Sequence, residues 1–128
     1  MAGITGATRT VTKLLIDNVT LNSTKSTYTS GSFSTDFYRN FILYIKVMST
    51  GSPTDIVFDV EFSHDNVLWY KYTNWFYGDL RYEDLATESP GVYESVSFPC
   101  AGRYMRVKIT GTVGQASFNT TVYAEFYT

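Results

Sequence analysis

The chain has 128 residues, with ten Lys plus Arg against twelve Asp plus Glu and a formal charge of -2. That length suits one domain able to bury roughly two thirds of the surface its unfolded form exposes, and no block of like charge is long enough for a nucleic-acid footprint. Cys100 is the only cysteine, which excludes an intrachain disulfide and a Cys-rich metal site, and no apolar run approaches a secretion signal or the roughly 20 residues of a membrane span.

Charged residues make up 17 % of the chain, below the roughly 25 % usual in soluble domains. The exterior must therefore be rich in Thr, Ser, Asn and Tyr, and part of it is expected to be covered by partners. The first residues are small and include glycines, so 1–12 are expected to form a flexible arm and 13–128 a single domain. Thr8 to Ile16 and Thr27 to Phe33 are rich in Thr, Val and Tyr and fit outer strands joined through Asp17 and Asn18. The strongest alternation follows. Phe41, Leu43, Ile45 and Val47 share one side of an extended segment, and after the turn at Thr50-Gly51-Ser52-Pro53 the pattern resumes at Ile56, Phe58, Val60 and Phe62, which reads as a hairpin. The opposite face of the second arm carries Asp59, Glu61 and Ser63 and is expected to be solvated; that of the first carries Ile42, Tyr44 and Met48 and is expected to be covered.

His64-Asp65-Asn66 reads as a tight connection and Val67 to Thr73 as the next strand. Residues 74–90 form the longest stretch without alternation, with at most a short helical turn over Asp79 to Leu85. Ser95, Val96 and Phe98 mark a shorter strand. Tyr104 to Thr110 alternates Met105, Val107 and Ile109 with Arg106 and Lys108, Gly111 to Gly114 supplies a turn, and Phe118, Val122 and Phe126 line the last strand. No dozen residues keep a helical spacing. The expectation is an all-β, antiparallel two-sheet β-sandwich of jelly-roll type with about eight strands.

The inventory for catalysis is thin. His64 stands in a turn with no nucleophile motif converging on it, and Cys100, after Pro99, reads as a small buried filler. Asp79, Glu83, Asp84 and Glu88 match no calcium-loop spacing and are expected to be solvated or paired with Arg81. No catalytic, cofactor or metal site is expected. Sequons at Asn18, Asn22 and Asn119 are expected by chance in so Thr-rich a chain. The anomaly is aromatic: eleven Tyr, nine Phe and two Trp. Many belong to the core, but Tyr44, Tyr123 and Tyr127 fall opposite the core sides, and Trp75, Phe76 and Tyr77 lie in the long connection. Such residues suit a protein interface or a sugar-stacking platform.

The runs Phe41 to Val47, Thr50-Gly51-Ser52-Pro53-Thr54 with Asp59-Val60-Glu61, His64-Asp65-Asn66-Val67-Leu68-Trp69-Tyr70, and Gly102-Arg103-Tyr104-Met105-Arg106-Val107-Lys108 together resemble small β-sandwich structural proteins of tailed-phage virions. The resemblance covers roughly residues 25 to 128. It implies a capsid decoration (cement) protein, made in the host cytoplasm and bound to the outside of the shell as a homo-trimer, with the major capsid protein as partner and no nucleic acid or membrane. A tail or baseplate accessory subunit would share the same sandwich. A carbohydrate-binding module is the rival, with Trp75, Tyr77 and Tyr82 stacking on sugar rings and Asp79 and Glu83 binding hydroxyls. For the interface reading, the expected contact residues are Tyr44, Met48, Trp75, Phe76, Tyr77, Tyr123 and Tyr127, with Ile4, Arg9 and Val11 from an arm adding strand hydrogen bonds to a neighbour's sheet edge.

Overall fold

A computed structural model describes residues 10–50, 55–73, 80–83, 92–112 and 117–128. Ten strands appear among them: β1 (Thr10–Leu21), β2 (Thr27–Thr29), β3 (Phe33–Ser34), β4 (Asn40–Thr50), β5 (Asp55–Ser63), β6 (Tyr70–Lys71), β7 (Leu80–Glu83), β8 (Val92–Pro99), β9 (Tyr104–Thr112) and β10 (Ser117–Tyr127). They form two antiparallel sheets, one of four strands in the order β1-β10-β4-β8 and one of six built on β2-β9-β5-β6, with β3 also on β9 and β7 also on β5.

The ten strands occupy eight positions. β2 and β3 run along the same strand, β9, and are separated at Ser30, whose hydroxyl accepts the Val107 N–H at 2.9 Å and replaces a ladder carbonyl. β6 and β7 likewise share β5. Eight positions, with the first strand beside the last and each sheet drawn from distant parts of the chain, make the jelly roll that the alternation predicts.

The core is the alternating set. Phe41, Leu43, Ile45 and Val47 of β4, Ile56, Phe58, Val60 and Phe62 of β5, Met105, Val107 and Ile109 of β9, and Phe118, Val122 and Phe126 of β10 are all buried. Each such side chain contributes roughly 1.5–3 kcal/mol by leaving water. Phe41 sits at the centre of an aromatic cluster, 5.4 Å from Phe98 and 5.3 Å from Phe126 within its sheet and 6.1 Å from Phe62 of the other.

That last contact corrects the hairpin reading. β4 and β5 belong to different sheets, and their apolar rows face each other across the interior instead of lying side by side. Five boundaries also move. Residues 10–12 are not part of an arm: β1 begins at Thr10, paired with Tyr127, and Val11 lies opposite Phe126 and packs against the core. β1 also runs through Asp17 and Asn18 as a bulged strand, Asn18 taking φ 53°. Leu80–Glu83 form a strand on β5, not a helical turn, and Gly111 belongs to β9, not to a turn. Finally, Val67 to Trp69 precede a strand that starts only at Tyr70, because the Asp65 carboxylate accepts the N–H groups of Val67 and Leu68, each at 2.9 Å.

Candidate interaction surface

The outer face of the four-stranded sheet carries a row of large side chains in direct register: Leu14 of β1 opposite Tyr123 of β10, Tyr123 opposite Tyr44 of β4, and Tyr44 opposite Ser95 of β8. Directly opposed residues bring their Cβ atoms within about 5 Å, so the two tyrosines and the leucine form one continuous strip. Leu14 is 42 % exposed, Tyr123 43 % and Tyr44 41 %. Leu14 faces outward because a bulge between it and Ile16 lets the consecutive Leu15 and Ile16 both turn inward. Half-buried Ile42 lies beside the strip, and on its other side the Lys46 ammonium stands 5.9 Å over the ring of exposed Tyr93. Each tyrosine offers an apolar ring with a hydroxyl, the chemistry favoured at protein contact centres.

The outer face of the six-stranded sheet is built differently. Glu61 lies opposite Arg106 and accepts its Nε–H at 2.7 Å, Asp59 lies opposite Lys108, and the Lys71 ammonium stands 3.3 Å from Asp59. The Arg106 guanidinium also covers the ring of Trp69 at 4.3 Å, so the one tryptophan among the described residues is capped by a cation.

The loops at one end of the sandwich are held by short-range hydrogen bonds. The Ser63 hydroxyl donates to the Asp65 carboxylate at 3.0 Å and accepts the Asn66 N–H at 2.8 Å. The backbone N–H groups of Leu68 and Val67 hold the Asp65 carboxyl down at about 2. Asn66 takes φ 63° there, as Asn readily does. The neighbouring turn closes through the Tyr38 N–H to the Thr35 carbonyl at 3.0 Å, while the Thr35 hydroxyl donates to the Gly102 carbonyl and Asp36 pairs with Arg103 at 3.8 Å. Within this turn Phe37 adopts φ 77° and is 92 % exposed. For a residue with a Cβ, that conformation costs about 1–2 kcal/mol.

The structure brings Tyr44 and Tyr123 together and places half-buried Met48 on the same face, opposite Asn119; Tyr127 is half-buried between Thr10 and Asn40. Val11 faces the core and not a neighbour's sheet edge. Ile4, Arg9, Trp75, Phe76, Tyr77 and Asp79 lie outside the described residues, as do Asp84 and Glu88. Sequence reasoning missed Leu14, which the bulge exposes, Tyr93, and Phe37, which carries no pattern signal; Val67 at 73 % and Leu68 at 56 % exposure were read as strand. His64 is exposed and stacks on Tyr70 at 6.4 Å. Cys100 is half-buried, and burial pushes its thiol up to about 11, so it stays un-ionised at neutral pH.

Comparison with protein-family models and with curated proteins finds no match. Solved structures do match. The PBSX exported protein XepA overlays 91 % of this chain with a TM-score of 0.62 at 13 % identity, and the chain spans 36 % of XepA. The SPBc2 prophage-derived protein YomS overlays 94 % of this chain and 95 % of its own length, with a TM-score of 0.57 at 13 % identity. At that identity the likeness is one of fold.

Proposed function

We propose that this chain is a non-catalytic structural protein of a phage particle, acting as a capsid decoration protein that docks on the shell through the outer face of its four-stranded sheet. The observation that carries the reading is the exposed Leu14–Tyr123–Tyr44 strip, a contact surface made by regular strands and so fixed in shape before binding. The full-length overlay on a prophage-derived protein supports the particle context, and the un-ionised thiol and solvated histidine support a role without chemistry. Many copies clamping junctions between shell subunits would favour the assembled state in proportion to their affinity.

Immunogold labelling of purified particles with an antibody to this chain tests the assignment. Label over the capsid is expected. Label confined to the tail tip would replace decoration by a baseplate role, and unlabelled particles would remove the virion from the account.

A further inference from the structure

Beside Phe37 the molecule has a hollow of about 320 Å³ between β1 and the β2–β3 edge. Val11, Phe33, Tyr38 and Phe126 wall it, with Lys13 and Ser32 also lining it. Tyr38 points into the fold, its ring 5.7 Å from Phe126, whereas Phe37, the residue before it, stands clear at 92 % exposure. A glycine or asparagine takes a left-handed φ comfortably, as Asn18 at 53° and Asn66 at 63° do at the other such non-glycine positions among the described residues. A phenylalanine there combines backbone strain with an unburied ring, and a single copy offers it no compensation.

We propose that Phe37 of one copy seats in this hollow of a second copy. The space admits one aromatic side chain, three of its walls are aromatic rings, and Lys13, a cation able to cap a ring, is among its lining residues. A lipid surface is the weaker occupant for Phe37, because Asp36 and Asp65 stand among Arg39, Arg103 and His64 at this end, without the cationic excess that membrane contact favours. Knob and hollow are one residue apart, so the contact closes on itself, with two copies exchanging rings or three passing them round an axis. The inference rests on the particle reading only in supposing that sister copies meet, and it uses a different surface from the tyrosine strip.

Light scattering on the full chain across a concentration series tests it. The wild type is expected to form a closed dimer or trimer. Phe37→Gly should weaken association at least tenfold while its thermal midpoint holds or rises, since glycine takes the turn without strain. Ser32→Trp, which fills the hollow from its rim, should lose association as well. A wild type that stays monomeric throughout, or a Phe37→Gly or Ser32→Trp variant that associates like wild type, would each overturn the proposal. Replacing Tyr44 and Tyr123 with serine should leave self-association intact, which separates failure of this contact from failure of shell docking.

Discussion

The two sheets bury the same kind of inner row and present opposite outer faces. On the six-stranded sheet, charges opposed across β5 and β9 neutralise one another, and Trp69 lies under Arg106. On the four-stranded sheet, rings and a leucine are opposed instead, with no charged partner in their row. Both arrangements satisfy a sheet; the first pairs its outer charges within the chain, and the second leaves its row 41–43 % exposed. The difference teaches that the aromatic excess of this chain is not all core: part of it is spent on one face, in register across three strands.

The comparison is sharpest along β4, which serves both sides. Phe41→Ala removes the ring that joins the two sheets and is expected to cost about 3–5 kcal/mol in chemical denaturation; a loss below about 1 kcal/mol would mean the inner rows are not the shared support of the two faces. Gly102→Ala probes the loops at the end of the six-stranded sheet, since its Cβ would come 2.8 Å from the Phe62 Cβ and 3.3 Å from the Ser63 backbone. It should cost about 1–3 kcal/mol in the same measurement.

The outer faces should then part company. Glu61→Gln breaks a partly buried ion pair on the charged face and is expected to cost about 1 kcal/mol, less at high salt, with particle binding unchanged. A binding defect there would break the contrast between the faces. The smallest expected effect is on acidity. Because the Asp65 carboxyl is held at about 2, below its ordinary 3.8, its contribution to stability is full above pH 4 and is lost as pH falls toward 2. Thermal melts of wild type and Asp65→Ala should therefore converge between pH 4 and pH 2, and parallel curves would contradict the loop geometry.

Much of this was legible in the sequence for a physical reason. Alternation at period two identifies which residues of β4, β5, β9 and β10 turn inward, and those residues are buried. Alternation does not say which strand lies alongside, so β4 and β5, consecutive and similarly patterned, read as a hairpin although they face one another across the core. Bulges hide more: in β1 the irregularities after Leu14 and Ile16 break the period, which obscured both the strand's extent and the exposure of Leu14. Tyr44 and Tyr123 were visible as rings opposite the core sides, but their direct pairing depends on register across strands distant in sequence. Phe37 left no trace, since a positive φ at a phenylalanine follows from the closure of its turn and from no residue preference.

The account stands most directly on cosedimentation of the chain with particles that lack it, comparing wild type with the variant carrying Tyr44→Ser and Tyr123→Ser. The prediction is at least tenfold weaker binding by the variant with its thermal midpoint close to wild type, because both side chains lie outside the core. Wild-type binding by a folded double variant would contradict the assignment of the tyrosine strip as the docking face.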